Sequence, residues 1–255
     1  MRPNRAKAKL ASGEVVVGTH LNLSSPALAE MCGHLGFDFI IVDMEHILFD
    51  PERVEAIMCA ADLTGVTPVV RPVKNDPDLI LPYLDAGAQG VFVPHVKTAE
   101  EARRVVAAVK YPPQGVRGSA SQRAAQYGLT TTVAEHVRDS NRETMATVSI
   151  EDLEGIRNVD EIAAVEGVDV VCMGPDDLAL ALGRPGAYDH PAVQDTFRHL
   201  ISRIRNAGKV AGITTWSVES AARYYEMGIR YTWTSVKVLL TASAREYVKG
   251  VRGLA

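Results

Sequence analysis

Short segments rich in Val, Ile and Thr alternate along the whole chain with longer segments of helical period. The short segments number eight and have the length, about five to seven residues, that is typical of strands. The helical segments carry start and stop signals, such as Asp50 before Pro51 and Gly65 at the other end of the same segment. Parallel strands need crossover connections, so the alternation predicts an α/β fold with a parallel sheet. Eight strands favour a closed (β/α)8 TIM barrel, a single domain over residues 1–255; they are VVVGTHL, FDFIIVD, TPVVRPV, GVFVPHV, MATVSI, VDVVCMG, VAGITT and YTWTSV.

Other architectures find less support in the sequence. No G-x-G-x-x-G motif follows the first strand and no P-loop is present, so the nucleotide-binding forms of an open sheet lose their main support. The segment YPPQGVRGSASQRAAQYGLT is irregular, and we interpret it as a long loop that fills the fifth barrel position poorly. No linker or compositional break divides the chain, which favours one domain.

Charge and hydropathy exclude several classes of partner. The formal net charge is −4 with acids and bases mixed throughout, so no basic stripe is present to neutralise a nucleic-acid backbone. No apolar run reaches the roughly 18 to 20 residues that cross a bilayer, and the polar start MRPNRAKAK precedes no apolar signal core. We therefore expect a soluble, cytoplasmic protein that binds neither nucleic acid nor membranes. Cys32, Cys59 and Cys172 suit reduced packing residues better than disulfides.

In barrels of this kind the active site lies at the carboxyl ends of the strands. Glu151 and Asp177 follow two neighbouring strands there. Two carboxylates, with water in the remaining positions, suit Mg²⁺ or Mn²⁺, which prefer oxygen ligands. The alternative is that each acid caps the helix that follows, a position for which Asp176 is well placed at the start of DDLALALG. The residues alone leave both interpretations open.

Ionisable side chains also end the second and third strands. Arg71 lies between an apolar run and a proline, where an unpaired guanidinium is costly, so it either pairs with an acid or receives an anionic ligand. In FIIVDMEHILFD, a carboxylate near His46 could hold its tautomer and raise its basicity for proton transfer. In the alternative arrangement, Asp43 forms a salt bridge with Arg71 while Glu45 and His46 face solvent.

Six strings are specific in combination: VDMEH, RPV, YLDAGAQGVFVPHV, YPPQGVRGSA, VSIED and EGVDVVCMGPDDLALALG. Together they resemble the HpcH/HpaI aldolase family, the class II, metal-dependent pyruvate aldolases, from Gly18 to about Ala244. The resemblance implies a (β/α)8 barrel that reversibly cleaves a 4-hydroxy-2-oxo acid into pyruvate and an aldehyde through a metal-stabilised enolate. It also implies a homo-oligomer, a hexamer built as a trimer of dimers, in which the last helix packs on a neighbouring subunit.

The resemblance assigns the cation and the carboxylate of the substrate to one side of the barrel. Glu151 and Asp177 match the family's two metal ligands, for Mg²⁺, Mn²⁺ or Co²⁺. Gly174, Pro175 and Asp176 match the turn whose N–H groups receive the pyruvate carboxylate, as helix N-termini do for anions.

The resemblance assigns proton transfer and charge stabilisation to the other strand ends. Arg71 matches the arginine that faces the keto oxygen, and His46 with Asp43 matches the pair that moves the proton. Glu45 lies in the same motif as a supporting acid. Asp85 matches a buried acid that the family places behind the pair.

Two other strand-end residues have no catalytic role in this interpretation. Lys237 could form a Schiff base, but that chemistry needs an activated amine, and a pair of metal ligands makes it superfluous. We expect Lys237 to contact another subunit or the tail of the substrate. For His95 we expect core packing or a hydrogen bond.

The sequence departs from the family at Ser149, where Gln is typical, at His20, where Trp is common, and at Met44, where Gly is common. We still expect Ser149, His20 and Thr214 to contact the substrate. The changed pocket keeps oxaloacetate decarboxylation open as an alternative reaction. A catalytically silent metabolite-binding barrel is the alternative from a different class, although such a barrel has no physical reason to keep so many charged groups at its mouth.

Overall fold

The computed structural model describes residues 1–254 and confirms the predicted (β/α)8 barrel. Each strand pairs in parallel with the next strand along the chain, and the last strand pairs with the first, so the sheet is closed. The strands are β1 (Val16–Leu21), β2 (Phe39–Asp43), β3 (Thr67–Arg71), β4 (Gly90–Val93), β5 (Met145–Ile150), β6 (Val170–Met173), β7 (Val210–Thr214) and β8 (Tyr231–Ser235).

Helices follow the strands and surround the barrel, and one further helix precedes the first strand. They are α1 (Arg5–Ala11), α2 (Pro26–His34), α3 (Pro51–Thr64), α4 (Pro77–Ala86), α5 (Ala99–Val109), α6 (Val133–Glu143), α7 (Leu153–Arg157), α8 (Val159–Ala163), α9 (Pro175–Ala181), α10 (Pro191–Asn206), α11 (Val218–Met227) and α12 (Val236–Arg252), with a 3-10 helix at Arg123–Gly128.

The predicted start and stop signals at Asp50 and Gly65 are confirmed, and two other early helices have caps of the same kind. The side chains of Ser25, Asp50 and Asp76 each accept a backbone N–H of the helical turn that follows, and a proline occupies the first turn. Gly65 and Gly87 end α3 and α4 with φ of +77° and +114°, the left-handed region that favours glycine. These signals fix where each crossover helix begins and ends.

The irregular segment YPPQGVRGSASQRAAQYGLT differs from its prediction. It lies outside the sheet, between α5 and the start of α6, and it contains the 3-10 helix. The fifth barrel position is filled by β5, which pairs regularly with both β4 and β6. The sequence pattern missed α6 because this helix buries only His136 and Ser140 and therefore lacks an apolar stripe.

Side chains alternate along each strand between the barrel interior and the surrounding helices. The interior cluster contains large residues such as Phe39, Phe92, Tyr231 and Trp233, and Ala6 of α1 packs on the same cluster. The opposite faces of the strands pack against the helices in a second, larger cluster. This alternation decides which side chains reach the mouth of the barrel.

Three smaller expectations have different outcomes. The cysteines are free, and Cys32 and Cys172 are buried as expected, but Cys59 is exposed, so packing was the wrong interpretation for it. Between residues 1 and 254, no helix has the length and apolar character that a membrane span requires. Helix α12 has no buried residue within this chain. Its packing on a neighbouring subunit stays a prediction.

Buried His136 leads to a pH prediction. Burial, and then the charges of the N-terminal amine and Arg117, lower its pKa from the ordinary 6.5 to about 4. Between these two values the unfolded chain binds a proton that the folded chain does not, so the free energy of unfolding should decrease as pH falls. Urea unfolding at pH 7 and pH 5 should show this decrease, and a smaller one in His136→Gln. An equal decrease in both proteins would contradict the assignment.

Candidate active site

A cavity of about 520 Å³ opens at the carboxyl ends of the strands. All the residues predicted to bind metal, contact substrate or act in catalysis line this cavity, except Asp85 and the supporting acid Glu45. They come from strand ends or from the first residues after a strand. The alternation of side chains places them on the inner wall, since Asp43 continues the inward series of Phe39 and Ile41.

Arg71 and Asp43 face each other because β2 and β3 pair with these two residues in register. The guanidinium donates from Nε to Oδ1 at 2.9 Å and from Nη2 to Oδ2 at 2.6 Å, a two-pronged contact. Burial acts to raise the pKa of Asp43, but the hydrogen bonds and charge of Arg71 outweigh it and hold that pKa below its ordinary value. The salt bridge of the alternative arrangement is therefore formed, and it fixes the orientation of Arg71.

The carboxylate of Asp43 contacts His46 through the backbone only. Its Oδ1 accepts the N–H groups of Glu45 at 3.0 Å and His46 at 3.3 Å, which fixes the turn after β2. The imidazole of His46 is 65 % exposed, and its Nε2 lies 3.6 Å from a carboxylate oxygen of Glu45. The structure thus does not pair the side chains of Asp43 and His46. The alternative arrangement, in which Glu45 also faces solvent, is wrong in that part, because the side chain of Glu45 is only 11 % exposed.

Glu151 and Asp177 are not helix caps. Asp152 caps α7 by accepting the N–H of Gly155, and Gly174 occupies the N-cap position of α9. Asp176 and Asp177 consequently lie inside the first turn of α9, so the capping interpretation of Asp176 is wrong. With the caps provided elsewhere, both predicted metal ligands face the cavity.

The two carboxylates fit a hard divalent cation. Burial, and then the charge of Glu151, raise the pKa of Asp177, and a bound cation would favour the ionised form of this carboxylate. Throughout residues 1–254, no group of three or more His, Cys, Asp or Glu side chains has metal-binding geometry. A cation here would therefore have two protein ligands and take its other oxygens from substrate and water, as Mg²⁺ commonly does.

His95 contacts the acids of this site in a way that the sequence did not reveal. It adopts φ of +56°, a region that few residues other than glycine occupy. Its Nδ1 lies 2.7 Å from Glu151 and its Nε2 lies 3.0 Å from Glu45, so it bridges two carboxylates. The hydrogen bond to Glu151 raises the pKa of His95 to about 9. The expected hydrogen bond is confirmed, whereas core packing is wrong because the side chain is 53 % exposed. Its place after β4 was the only signal.

The turn before α9 offers N–H groups, but not all of those that were predicted. The N–H of Gly174 donates to the carbonyl oxygen of Ile150 at 3.3 Å, and Pro175 has no N–H. No side chain caps this helix, so the N–H groups of Asp176 and Asp177 remain available in its first turn. Gly174 and Pro175 thus shape the turn, and the next two residues supply the donors.

Unsatisfied polar atoms mark the cavity floor. Ser149 Oγ and His20 Nε2 are buried and have no hydrogen-bond partner within the described chain. Burial, and then the charge of Arg71, lower the pKa of His20 to about 3, so its imidazole is neutral at physiological pH. Thr214 Oγ1 instead donates to the carbonyl oxygen of Trp233 at 3.1 Å. Buried polar atoms are normally bonded, so Ser149 and His20 are ready to contact substrate or water.

Asp85 and Lys237 are the remaining residues for which the sequence predicted a position or a role. Asp85, on α4, accepts from Arg117 Nη2 at 3.0 Å and does not line the cavity, and its expected place behind the pair of Asp43 and His46 stays a prediction. Lys237 lines the cavity but is exposed, and its backbone N–H donates to Asn22 Oδ1 at 3.1 Å. Schiff-base lysines are activated by burial or by a cationic neighbour, and exposure removes the first of these causes.

Glycine at position 174 is required by space and not by backbone conformation, since its φ of −89° suits any residue. An added Cβ would lie 2.9 Å from Cγ and 3.1 Å from Oε1 of Glu151. Gly174→Ala should displace the carboxylate and weaken Mn²⁺ binding roughly tenfold, as a lost supporting contact does. Calorimetric titration measures this effect. Gly250→Ala is the matched control, because its Cβ meets no atom within 4 Å. Equal affinities in the two variants would refute the steric argument.

Comparison with known proteins gives a consistent result. The family model described as HpcH/HpaI aldolase/citrate lyase matches residues 17–244. A hydroxypyruvate/pyruvate aldolase from Pseudomonas aeruginosa is 42 % identical over 253 residues, covering 98 % of this chain and 93 % of that protein. A 5-keto-4-deoxy-D-glucarate aldolase from Escherichia coli is 41 % identical over 230 residues, covering 90 % and 89 %.

Solved structures agree with these sequence relatives. An HpcH/HpaI aldolase/citrate lyase family protein from Burkholderia cenocepacia superposes with a TM-score of 0.91 at 31 % identity, covering 98 % of this chain and 99 % of that one. An HpcH/HpaI aldolase from Desulfitobacterium hafniense gives the same TM-score and identity, with 96 % of each chain covered. The chain belongs to the HpcH/HpaI aldolase/citrate lyase family.

Proposed function

We propose that this chain is a metal-dependent aldolase that reversibly cleaves a 4-hydroxy-2-oxo acid into pyruvate and an aldehyde. One observation carries the proposal. The two carboxylates of Glu151 and Asp177 and the fixed pair of Asp43 with Arg71 meet on one cavity. A cation site beside an oriented guanidinium is what stabilisation of an enolate requires. The family and its aldolases support the same reaction class.

Glu151 and Asp177 would hold the cation, for which we propose Mg²⁺, Mn²⁺ or Co²⁺. When bound, a divalent cation acts as a Lewis acid on the 2-oxo group. Arg71 adds a second positive charge at the developing oxyanion, and Asp43 keeps the guanidinium in one orientation. Loss of one such donor typically costs on the order of 10² to 10³ in rate.

The carboxylate of the substrate would lie against α9. The N–H groups of Asp176 and Asp177 are its donors there, and Ser149 Oγ is a further unpaired polar atom on the same wall. These contacts would hold the pyruvyl end of the substrate against this wall of the cavity. Positioning of this kind is a large part of the rate advantage of enzymes.

His46 is the base that we propose for the C4 hydroxyl. As it takes that proton, the C4 oxygen forms the aldehyde carbonyl, the C3–C4 bond breaks and its electrons pass to the enolate. A proton added at C3 then gives pyruvate, so no covalent link to the protein forms. Glu45 lies 3.6 Å from the imidazole of His46, and Asp43 fixes the turn that carries His46.

Cleavage assays separate this reaction from its alternatives. Incubation with 4-hydroxy-2-oxo acids should yield pyruvate, detected with lactate dehydrogenase, and EDTA should abolish the yield until Mg²⁺ or Mn²⁺ is added. Faster release of CO₂ from oxaloacetate than of pyruvate from every hydroxy-oxo acid would favour a decarboxylase. Absence of both reactions would favour a metabolite-binding barrel.

We also propose the homo-oligomer implied by the family, a hexamer arranged as a trimer of dimers. Helix α12 buries none of its residues in this chain and exposes Leu240, Tyr247 and Val251. Apolar side chains on one helix favour contact with another subunit. Light scattering gives the mass of the assembly directly.

A further inference from the structure

The rim of the cavity between β8 and β1 is polar and lies opposite Glu151. His20 pairs in register with Ser235, and Asn22 receives the backbone N–H of Lys237, so these four residues form one continuous segment of wall. We call it the β8–β1 rim. In a closed barrel of eight strands it lies diametrically opposite β4 and β5, and Glu151 follows β5. A substrate held at its pyruvyl end by Glu151 would therefore extend toward this rim.

Charge is distributed unevenly between the two sides of the cavity. The ion pairs around the cavity in residues 1–254 join Arg71 and two histidines to acids, and none of them includes Lys237. Lys237 lies in the first turn of α12, which contains no acid. The helix is 17 residues long, and the positive end of its dipole lies at the rim. Lys237 therefore brings a positive charge to the cavity, and no acid within residues 1–254 forms an ion pair with it.

We propose that Lys237 binds an anionic group, a carboxylate or a phosphate, at the distal end of the substrate, so that the aldehyde partner is itself an anion. The inference rests on the proposed function, because it takes the metal site and Arg71 to hold the pyruvyl end. The site proposed for the pyruvate carboxylate is the first turn of α9, so Lys237 is left for a second anion. His20 and Asn22 would solvate the part of the chain between the two ends.

The experiment compares an anionic aldehyde with a neutral aldehyde of similar size, once for a carboxylate and once for a phosphate. Rates of addition of pyruvate are measured with succinic semialdehyde against butanal, and with glyceraldehyde 3-phosphate against glyceraldehyde. The proteins are the wild type, Lys237→Met, Lys237→Arg and Lys249→Met, the last being a control at the far end of the same helix. Each protein is also sized by light scattering.

In Lys237→Met, kcat/KM should fall roughly tenfold for the anionic aldehyde, mainly through KM, and stay within about twofold for its neutral partner. Lys237→Arg should keep most of the preference, Lys249→Met all of it, and added salt should reduce it in the wild type. The pair that responds identifies carboxylate or phosphate. The proposal would be overturned if the wild type showed no preference for the anionic aldehyde, or if a Lys237 variant lost kcat/KM equally for both members of a pair. Dissociation of the assembly in both Lys237 variants would also overturn it. If pyruvate methyl protons still exchange in a metal-dependent way in that case, the proposed function remains supported although the role of Lys237 is not.

Discussion

Replacing Glu151 by Gln should remove divalent metal binding and cleavage together. The change keeps the volume of a side chain that is only 5 % exposed but removes the negative charge that a hard cation needs. Asp177 would then be the one remaining protein ligand of the pair. We expect Mn²⁺ affinity to fall by at least about 100-fold and cleavage by about 10³-fold or more, because the Lewis acid is lost. Calorimetric Mn²⁺ titration and the lactate dehydrogenase assay measure the two effects.

Asp152 offers a control at the adjacent position. Its carboxylate accepts the N–H of Gly155 at 2.8 Å and pairs with Lys97, outside the cavity. Asp152→Asn makes the same change of charge and should cost about 1 kcal/mol of stability or less, as altered helix caps do, without changing Mn²⁺ affinity. Wild-type Mn²⁺ affinity in Glu151→Gln would remove Glu151 from the metal site.

Replacing His46 by Ala should separate catalysis from metal binding. The imidazole lines the cavity, but its nearest charged partner is Glu45 and not either metal ligand. Cleavage should fall by about 10² to 10⁴, the range for loss of a general base, while Mn²⁺ affinity stays within about threefold. Added imidazole should restore part of the rate, since it can enter the space left at the exposed position.

His34, an exposed histidine on α2, provides the matched substitution. His34→Ala should alter neither cleavage nor Mn²⁺ affinity. If His46→Ala instead loses Mn²⁺ affinity in proportion to its activity, His46 is a metal ligand rather than the base.

The barrel and most of its mouth could be predicted because two simple periods determine them. Alternation of strands and helices implies a parallel sheet, and alternation of side chains along strands carries Asp43, Arg71 and Glu151 to one end of the interior. Both patterns are local and can be recognised in the amino-acid sequence. The register between β2 and β3, which makes the salt bridge of Asp43, is a property of the closed sheet.

The remaining features depend on backbone geometry and on contacts between distant residues. His95 contacts Glu45 and Glu151 because its backbone is left-handed, a conformation that no residue pattern in the sequence predicts. The partner of Asp85 is Arg117, from a segment whose irregular conformation the sequence could not specify. In both cases the missing information was the path of a loop.

Exchange of the pyruvate methyl protons in D₂O reports on enolate formation in this cavity, because it needs no particular aldehyde. Proton NMR should show the methyl signal disappearing with Mg²⁺ or Mn²⁺, no exchange above background after EDTA, and almost none in Glu151→Gln. Exchange that continues in EDTA and stops after borohydride treatment would contradict the metal site and indicate a Schiff base. Absence of exchange with every metal would contradict both the metal site and the enolate chemistry.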